Sequence, residues 1–233
     1  MVLTMNEYAI EGHRFLKSID EYFGKLRKTV GEDICAIMRN GKPLNGYNIP
    51  NPSELLIGMS AMIIPSDYRL PLTMHSRCNL DAYFEIGNDD GHINDNVLRL
   101  TVSEMGAWQL VQLMVMSMHV MPLYWHANYM KWTPVFCDKD LQQLRKSPRR
   151  YSSIKGYTYG FLPEDLPIEP TVMPVEEGHL YSVSFYVWTD FGGYLKVTST
   201  VTFPKDTIFA LVKDTKISTE IKEIVPYRAS ILF

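Results

Sequence analysis

The chain has 233 residues, 46% hydrophobic and 21% charged, which is enough apolar content to close a sizeable core and too much for a disordered chain. A formal net charge of −3 argues against a protein given over to nucleic acid or to anionic membranes. Cys35, Cys78 and Cys137 offer no disulfide framework and no CxxC half-site, and Met1–Glu7 has neither the basic nor the apolar region of a signal peptide, so a reduced, cytoplasmic protein is expected.

The first element is an amphipathic helix. Thr4 and Glu7 have capping-box spacing, and Tyr8, Phe15 and Tyr22 recur at heptad spacing beside Leu16, Ile19, Phe23, Leu26 and Val30, with Gly31 as the stop. Asn51, Pro52 and Glu54 then open a short helix reaching about Ala61. From Leu70 to Ile86 most apolar residues fall on even positions and most polar ones on odd positions, the period of a strand with two unlike faces, either one bent strand or two shorter ones. Asn88–Asn96 reads as a hairpin loop that returns Val97–Val102 as the partner strand, giving a hairpin over 70–102. Calcium is not expected there, because an EF-hand register would put Ile86 and Val97 where acidic ligands are needed.

Thr101 and Glu104 open a third helix running to Pro122, apolar nearly all round and rich in methionine, which suits a central core helix. Period alone leaves a buried strand open over 110–121. Gln112, Ser117, His119 and Pro122 interrupt it too often for a membrane span. Residues 163–178 carry Pro163, Pro167, Pro170 and Pro174 among acidic residues, which describes an extended surface segment. It is also the place to divide the chain into subdomains 1–162 and 179–233, though one domain over 1–233 is the first expectation because the last part is small for independent folding.

The clearest element is a hairpin over residues 179–203. Tyr181, Val183, Phe185 and Val187 on one strand and Leu195, Val197, Val201 and Phe203 on the other are all odd-numbered. Placing them on one face requires paired numbers with an even sum, which excludes a two- or four-residue loop and fits the loop Asp190-Phe191-Gly192, with Gly192 as its left-handed residue. Strands at Ile208–Val212 and Ile221–Phe233 follow. The fold class is therefore α+β, mainly antiparallel sheet, with a long amino-terminal helix, a buried Met-rich helix and a carboxy-terminal third nearly all β.

Three residue sets are candidate sites. The polar strand positions His75, Arg77, Asp81, Tyr83 and Glu85, with Arg99 opposite Glu85, combine groups able to bind an anion or move protons, although solvated strand faces commonly look the same. The even positions Tyr186, Trp188, Tyr194 and Lys196 near the hairpin tip offer an interaction surface if nothing covers them. The run Arg145, Lys146, Arg149, Arg150, Tyr151 and Lys155 has the cation-and-aromatic composition of single-strand binding, opposed by the acidic segment after it. Asp190-Phe191-Gly192 lacks every other kinase element, and the histidines show no zinc spacing, so neither metal nor cofactor is expected. A binding protein with an unknown protein partner or with self-association leads. A small-molecule enzyme at His75–Glu85 is the alternative, and nucleic-acid contact comes third.

Overall fold

A computed structural model of the chain describes residues 6–30, 49–78, 81–86, 97–120, 131–146, 162–176, 178–190 and 192–226. Helix α1 (Glu7–Val30) is capped by Asn6, whose side-chain oxygen accepts the Ala9 N–H at 2.8 Å. The expected cap Thr4 and stop Gly31 lie outside the described residues. Ala9, Phe15, Ile19, Tyr22, Phe23 and Leu26 form its buried stripe, at helical spacing. The second helix is shorter than expected. Asn51 does cap it, accepting from Ser53 N–H, but it is a 3-10 turn (Pro52–Leu56), and Glu54 pairs with Lys25 of α1 instead of closing a capping box.

The strands make three antiparallel sheets. β1 (Met62–Ile63), β4 (Arg99–Thr101) and β9 (Phe209–Leu211) form one, in the order β1-β4-β9. β2 (Leu72–Cys78) pairs with β3 (Asp81–Ile86) in a separate hairpin, so the 70–86 run is two strands that turn on themselves. The expected hairpin over 70–102 is therefore wrong in its return strand: Glu85 pairs with Thr73, while Arg99 pairs with Ile63 and Leu211. Two-residue periodicity gives a strand its faces, not its neighbour. The loop 88–96 lies outside the described residues.

The largest sheet runs β10-β8-β7-β5, from β10 (Lys216–Val225) through β8 (Gly193–Thr202) and β7 (Leu180–Thr189) to β5 (Thr133–Val135). β6 (Thr171–Glu176) shares the β5 edge of β7, so the proline-rich segment is extended and partly a strand, with Pro174 on an edge where a missing donor is tolerated. In the β7–β8 hairpin Tyr181 pairs with Val201, Phe185 with Val197 and Val187 with Leu195, and the loop is residues 190–192. Register and loop length agree with the parity argument. The left-handed residue is Gly193, φ 82°, one position beyond Gly192.

Helix α2 (Glu104–Val111) passes through a π-helical segment (Gln112–Met116) into α3 (Ser117–Val120), so residues 110–120 are helix. Its cap is Ser103, which accepts the Gly106 N–H at 3.0 Å; Thr101 instead lies in β4 and donates to Ala61 O. Ala107, Trp108, Val111, Leu113 and Met116 have no exposed surface and sit in the main core with the odd-numbered face of β7 and β8. That core takes residues from α1 through to Val212, on both sides of the acidic segment. No described helix is long and apolar enough to cross a membrane.

Two buried glutamines on this helix differ sharply. Gln109 accepts the Ala61 N–H at 2.9 Å and donates to Glu11 and Ser60, tying α1, α2 and the start of β1 together. Gln112 is equally buried, yet neither atom of its amide has a partner among the described residues. A desolvated, unsatisfied amide costs about 1–3 kcal/mol. Gln112→Met, similar in volume and apolar, is expected to raise stability by about that amount, read as a higher urea midpoint with unchanged slope.

Tyr22 and Tyr194 give a pH signature. Burial pushes both phenols above the ordinary tyrosine range; at Tyr194 the neighbouring Tyr186 adds to this and Arg145 opposes it. The folded chain thus holds protons that the unfolded chain releases above about pH 10, so stability is complete below that pH and is lost as pH rises through it. Urea midpoints measured from about pH 8 to 11 are expected to fall, and less steeply in Tyr194→Phe.

Candidate functional site

Helix α4 (Asp138–Lys146), not foreseen from the sequence, changes the reading of two candidate sites. Its Leu141 and Leu144 join Val135, Leu162, Trp188 and Tyr194 in a second core over the even-numbered face of the hairpin tip. Trp188 and Tyr194 are 1% and 0% exposed, and Tyr194 donates to Pro167 O at 2.7 Å. Tyr186 stacks on Tyr194 at 5.8 Å, and Lys196 is half-buried. Of the interaction surface expected at Tyr186, Trp188, Tyr194 and Lys196, the chain itself therefore covers Trp188 and Tyr194, while Tyr186 and Lys196 stay partly exposed. A Trp188→Ala variant is expected to lose about 3–5 kcal/mol of stability in chemical denaturation, where an exposed docking residue would cost almost nothing.

Arg145 and Lys146 end this same helix. The Arg145 guanidinium donates to the main-chain carbonyls of Pro163 and Glu164, so the acidic segment does engage the basic run, through backbone oxygen. Arg149, Arg150, Tyr151 and Lys155 lie outside the described residues. For the polar strand set, backbone pairing places His75 opposite Tyr83 and Thr73 opposite Glu85, while a register shift between Ser76 and Cys78 falls at Arg77 and sets Asp81 opposite Cys78. Arg99 is on another sheet, so these six residues do not form one row.

The structure brings together three other residues. His13 of α1 lies beside Cys137 and Asp140 at the start of α4, with His13 Nε2 3.2 Å from Asp140 Oδ2 and 3.8 Å from Cys137 Sγ. Cys137 Sγ is 3.4 Å from the same Oδ2. All three are partly buried, and their ligand atoms lie within 4.8 Å of one another. The local sequence explains the placement. Gly12 leaves room for the Phe136 ring, since a Cβ there would stand 2.5 Å from Phe136 Cε2, and that approach sets the next residues, His13 and Cys137, side by side. Asp140 closes α4 as a capping box, its Oδ2 accepting the Phe136 and Cys137 N–H groups at 2.9 and 3.1 Å.

Burial and the Asp140 carboxylate raise the Cys137 thiol pKa, against hydrogen bonds from the Lys139 and Asp140 backbone that lower it. A raised pKa does not favour the thiolate that a nucleophile needs. A nucleophile relay would also need the imidazole to meet cysteine and carboxylate through different nitrogens, whereas here Nε2 faces both. An imidazole nitrogen, a thiol sulfur and a carboxylate oxygen in one small triangle are instead a set able to hold a metal ion. His13 and Cys137 are too far apart in sequence to signal this. Cys137 and Asp140, one helical turn apart, gave the only local cue.

A second feature is the outer face of β1-β4-β9. Cross-strand register aligns Ile63, Arg99 and Leu211 in one row and Thr101 with Phe209 in the next, with Val97 two positions before Arg99. Ile63, Val97 and Phe209 are 46%, 50% and 49% exposed, and Ile208 at the rim is more so. Comparison with protein-family models, curated proteins and solved structures finds no match to the chain.

Proposed function

We propose that the chain is a non-enzymatic recognition protein, working in a reducing cytoplasm, that binds a protein partner through the outer face of β1-β4-β9. The observation that carries this reading is the grouping of Ile63, Val97 and Phe209 around Arg99 on one sheet face. Single exposed apolar side chains need no explanation, but a contiguous set rimmed by polar residues is characteristic of interaction sites. Arginine and aromatic residues at the centre of such a set are the types that dominate binding energy. The inward positions Met62, Leu100 and Ala210 are buried in the main core, so the face rests on a rigid support.

A photo-reactive phenylalanine analogue placed at position 209 of the full chain, in its own host, tests the proposal. A discrete cross-linked adduct is expected from 209 and none from position 222 on β10. Ile63→Asp is expected to abolish the 209 adduct while leaving the circular dichroism spectrum unchanged. An adduct of doubled mass, with a dimer in sedimentation velocity, identifies the partner as a second copy. No adduct at 209, or the same adduct from both positions, overturns the reading.

A further inference from the structure

We propose that His13, Cys137 and Asp140 form a binding site for a borderline-soft divalent metal ion of the zinc type. Four-coordinate zinc takes nitrogen and oxygen at about 2.0–2.2 Å and sulfur at about 2.3 Å, so the edges of its tetrahedron are about 3.3–3.6 Å. The corresponding distances are 3.2 Å from Nε2 to Oδ2, 3.4 Å from Sγ to Oδ2 and 3.8 Å from Sγ to Nε2. Three ligand atoms already stand within a few tenths of an ångström of one face of such a tetrahedron.

Hydrogen bonding accounts for this geometry poorly. Oδ2 of Asp140 already accepts two backbone N–H groups, from Phe136 and Cys137. The imidazole and the thiol then converge on the same oxygen, four neighbours for an atom with two lone pairs. A cation shared by nitrogen, sulfur and oxygen relieves that crowding, and the two N–H groups become the outer contacts that orient a ligating carboxylate. With the metal bound, Cys137 is a thiolate beside the Asp140 carboxylate. Their two charges balance a divalent ion. Binding replaces the thiol proton of Cys137, which leaves to solvent, by the metal.

The chemistry of the set selects the ion. Thiolate and imidazole favour zinc-like metals over magnesium and calcium, which take oxygen ligands. With side chains 36% and 19% exposed at His13 and Asp140, the cluster opens to solvent, and water takes the fourth position.

The test uses the full chain, stripped with a chelator, in a Cys35→Ser/Cys78→Ser background that leaves Cys137 as the one thiol. Cobalt(II), the spectroscopic stand-in, is expected to give a thiolate-to-metal charge-transfer band and intense visible bands of four-coordination, saturating at one equivalent and lost on adding zinc. Zinc is expected to raise the melting temperature of this background. Cys137→Ser is expected to remove the charge-transfer band, and His13→Gln to weaken cobalt binding by at least about tenfold. His13 is partly exposed on the surface of α1, so His13→Gln keeps the test open if the cysteine variant does not fold. Absence of the charge-transfer band at micromolar cobalt overturns the proposal. So does cobalt affinity unchanged in His13→Gln.

Discussion

Most of the architecture depends on the packing around Trp108. The indole has no exposed surface, and its Nε1 donates to Tyr8 O at 3.0 Å, joining α2 to the first turn of α1. Tyr8, Phe136 and Phe185 meet it edge-on at centroid distances of 6.4, 5.9 and 5.8 Å. One side chain thus contacts α1, the β5–α4 connection and the central strand β7. Edge-to-face pairs of this kind add about 0.5–1.5 kcal/mol each beyond buried area. They also fix direction. Phe136 is held between Trp108 and the gap at Gly12, and Cys137 inherits its position from Phe136. The placement of the His13–Cys137–Asp140 triangle is therefore tied to core packing.

The parts of the fold legible in the sequence are those governed by local periodicity. Parity narrows the β7–β8 register, because one face is buried along its length and a slip by one residue would expose Tyr181, Phe185 and Val197. The α+β class, the buried Met-rich helix and the extended proline segment follow from equally local signals. Partner choice between strands does not. Val97–Val102 looks like the return of the preceding strand, yet its Arg99–Thr101 pairs with Met62–Ile63 before that strand and with Phe209–Leu211 far beyond it. Caps fail by a similar margin. Thr101 and Ser103 are both plausible hydroxyls, and only the strand pairing of Thr101 decides that Ser103 closes the helix.

The site was less legible than the fold, for the same reason. Trp188 and Tyr194 lie on the hairpin face away from the main core, and their burial depends on α4, a helix of nine residues whose apolar content is little more than Leu141 and Leu144. So small a stripe is easily lost beside a basic run. His13 reads as one polar position on an amphipathic helix, and Cys137 as a thiol without a spaced partner. Nothing short of the Gly12–Phe136 contact brings them together.

The treatment of exposed β structure bears on function. β10 is a ten-residue edge of the largest sheet, the kind of surface that invites strand addition. Lys216, Glu220, Lys222 and Glu223 populate it, and charge on an edge is a standard defence against unwanted pairing. Its exposed Ile221 lies between Glu220 and Lys222, and Ile224 follows Glu223. Among the described residues, the strands of the β1-β4-β9 face carry one charge, Arg99. Across its three strands the aligned row is Ile63, Arg99 and Leu211, one charge among apolar neighbours, with Phe209 and Val97 to either side. A chain that guards its longest edge with four charges and leaves a shorter sheet's face apolar treats the two surfaces differently. That contrast, more than the exposure of any one side chain, is what supports the docking role proposed for the β1-β4-β9 face.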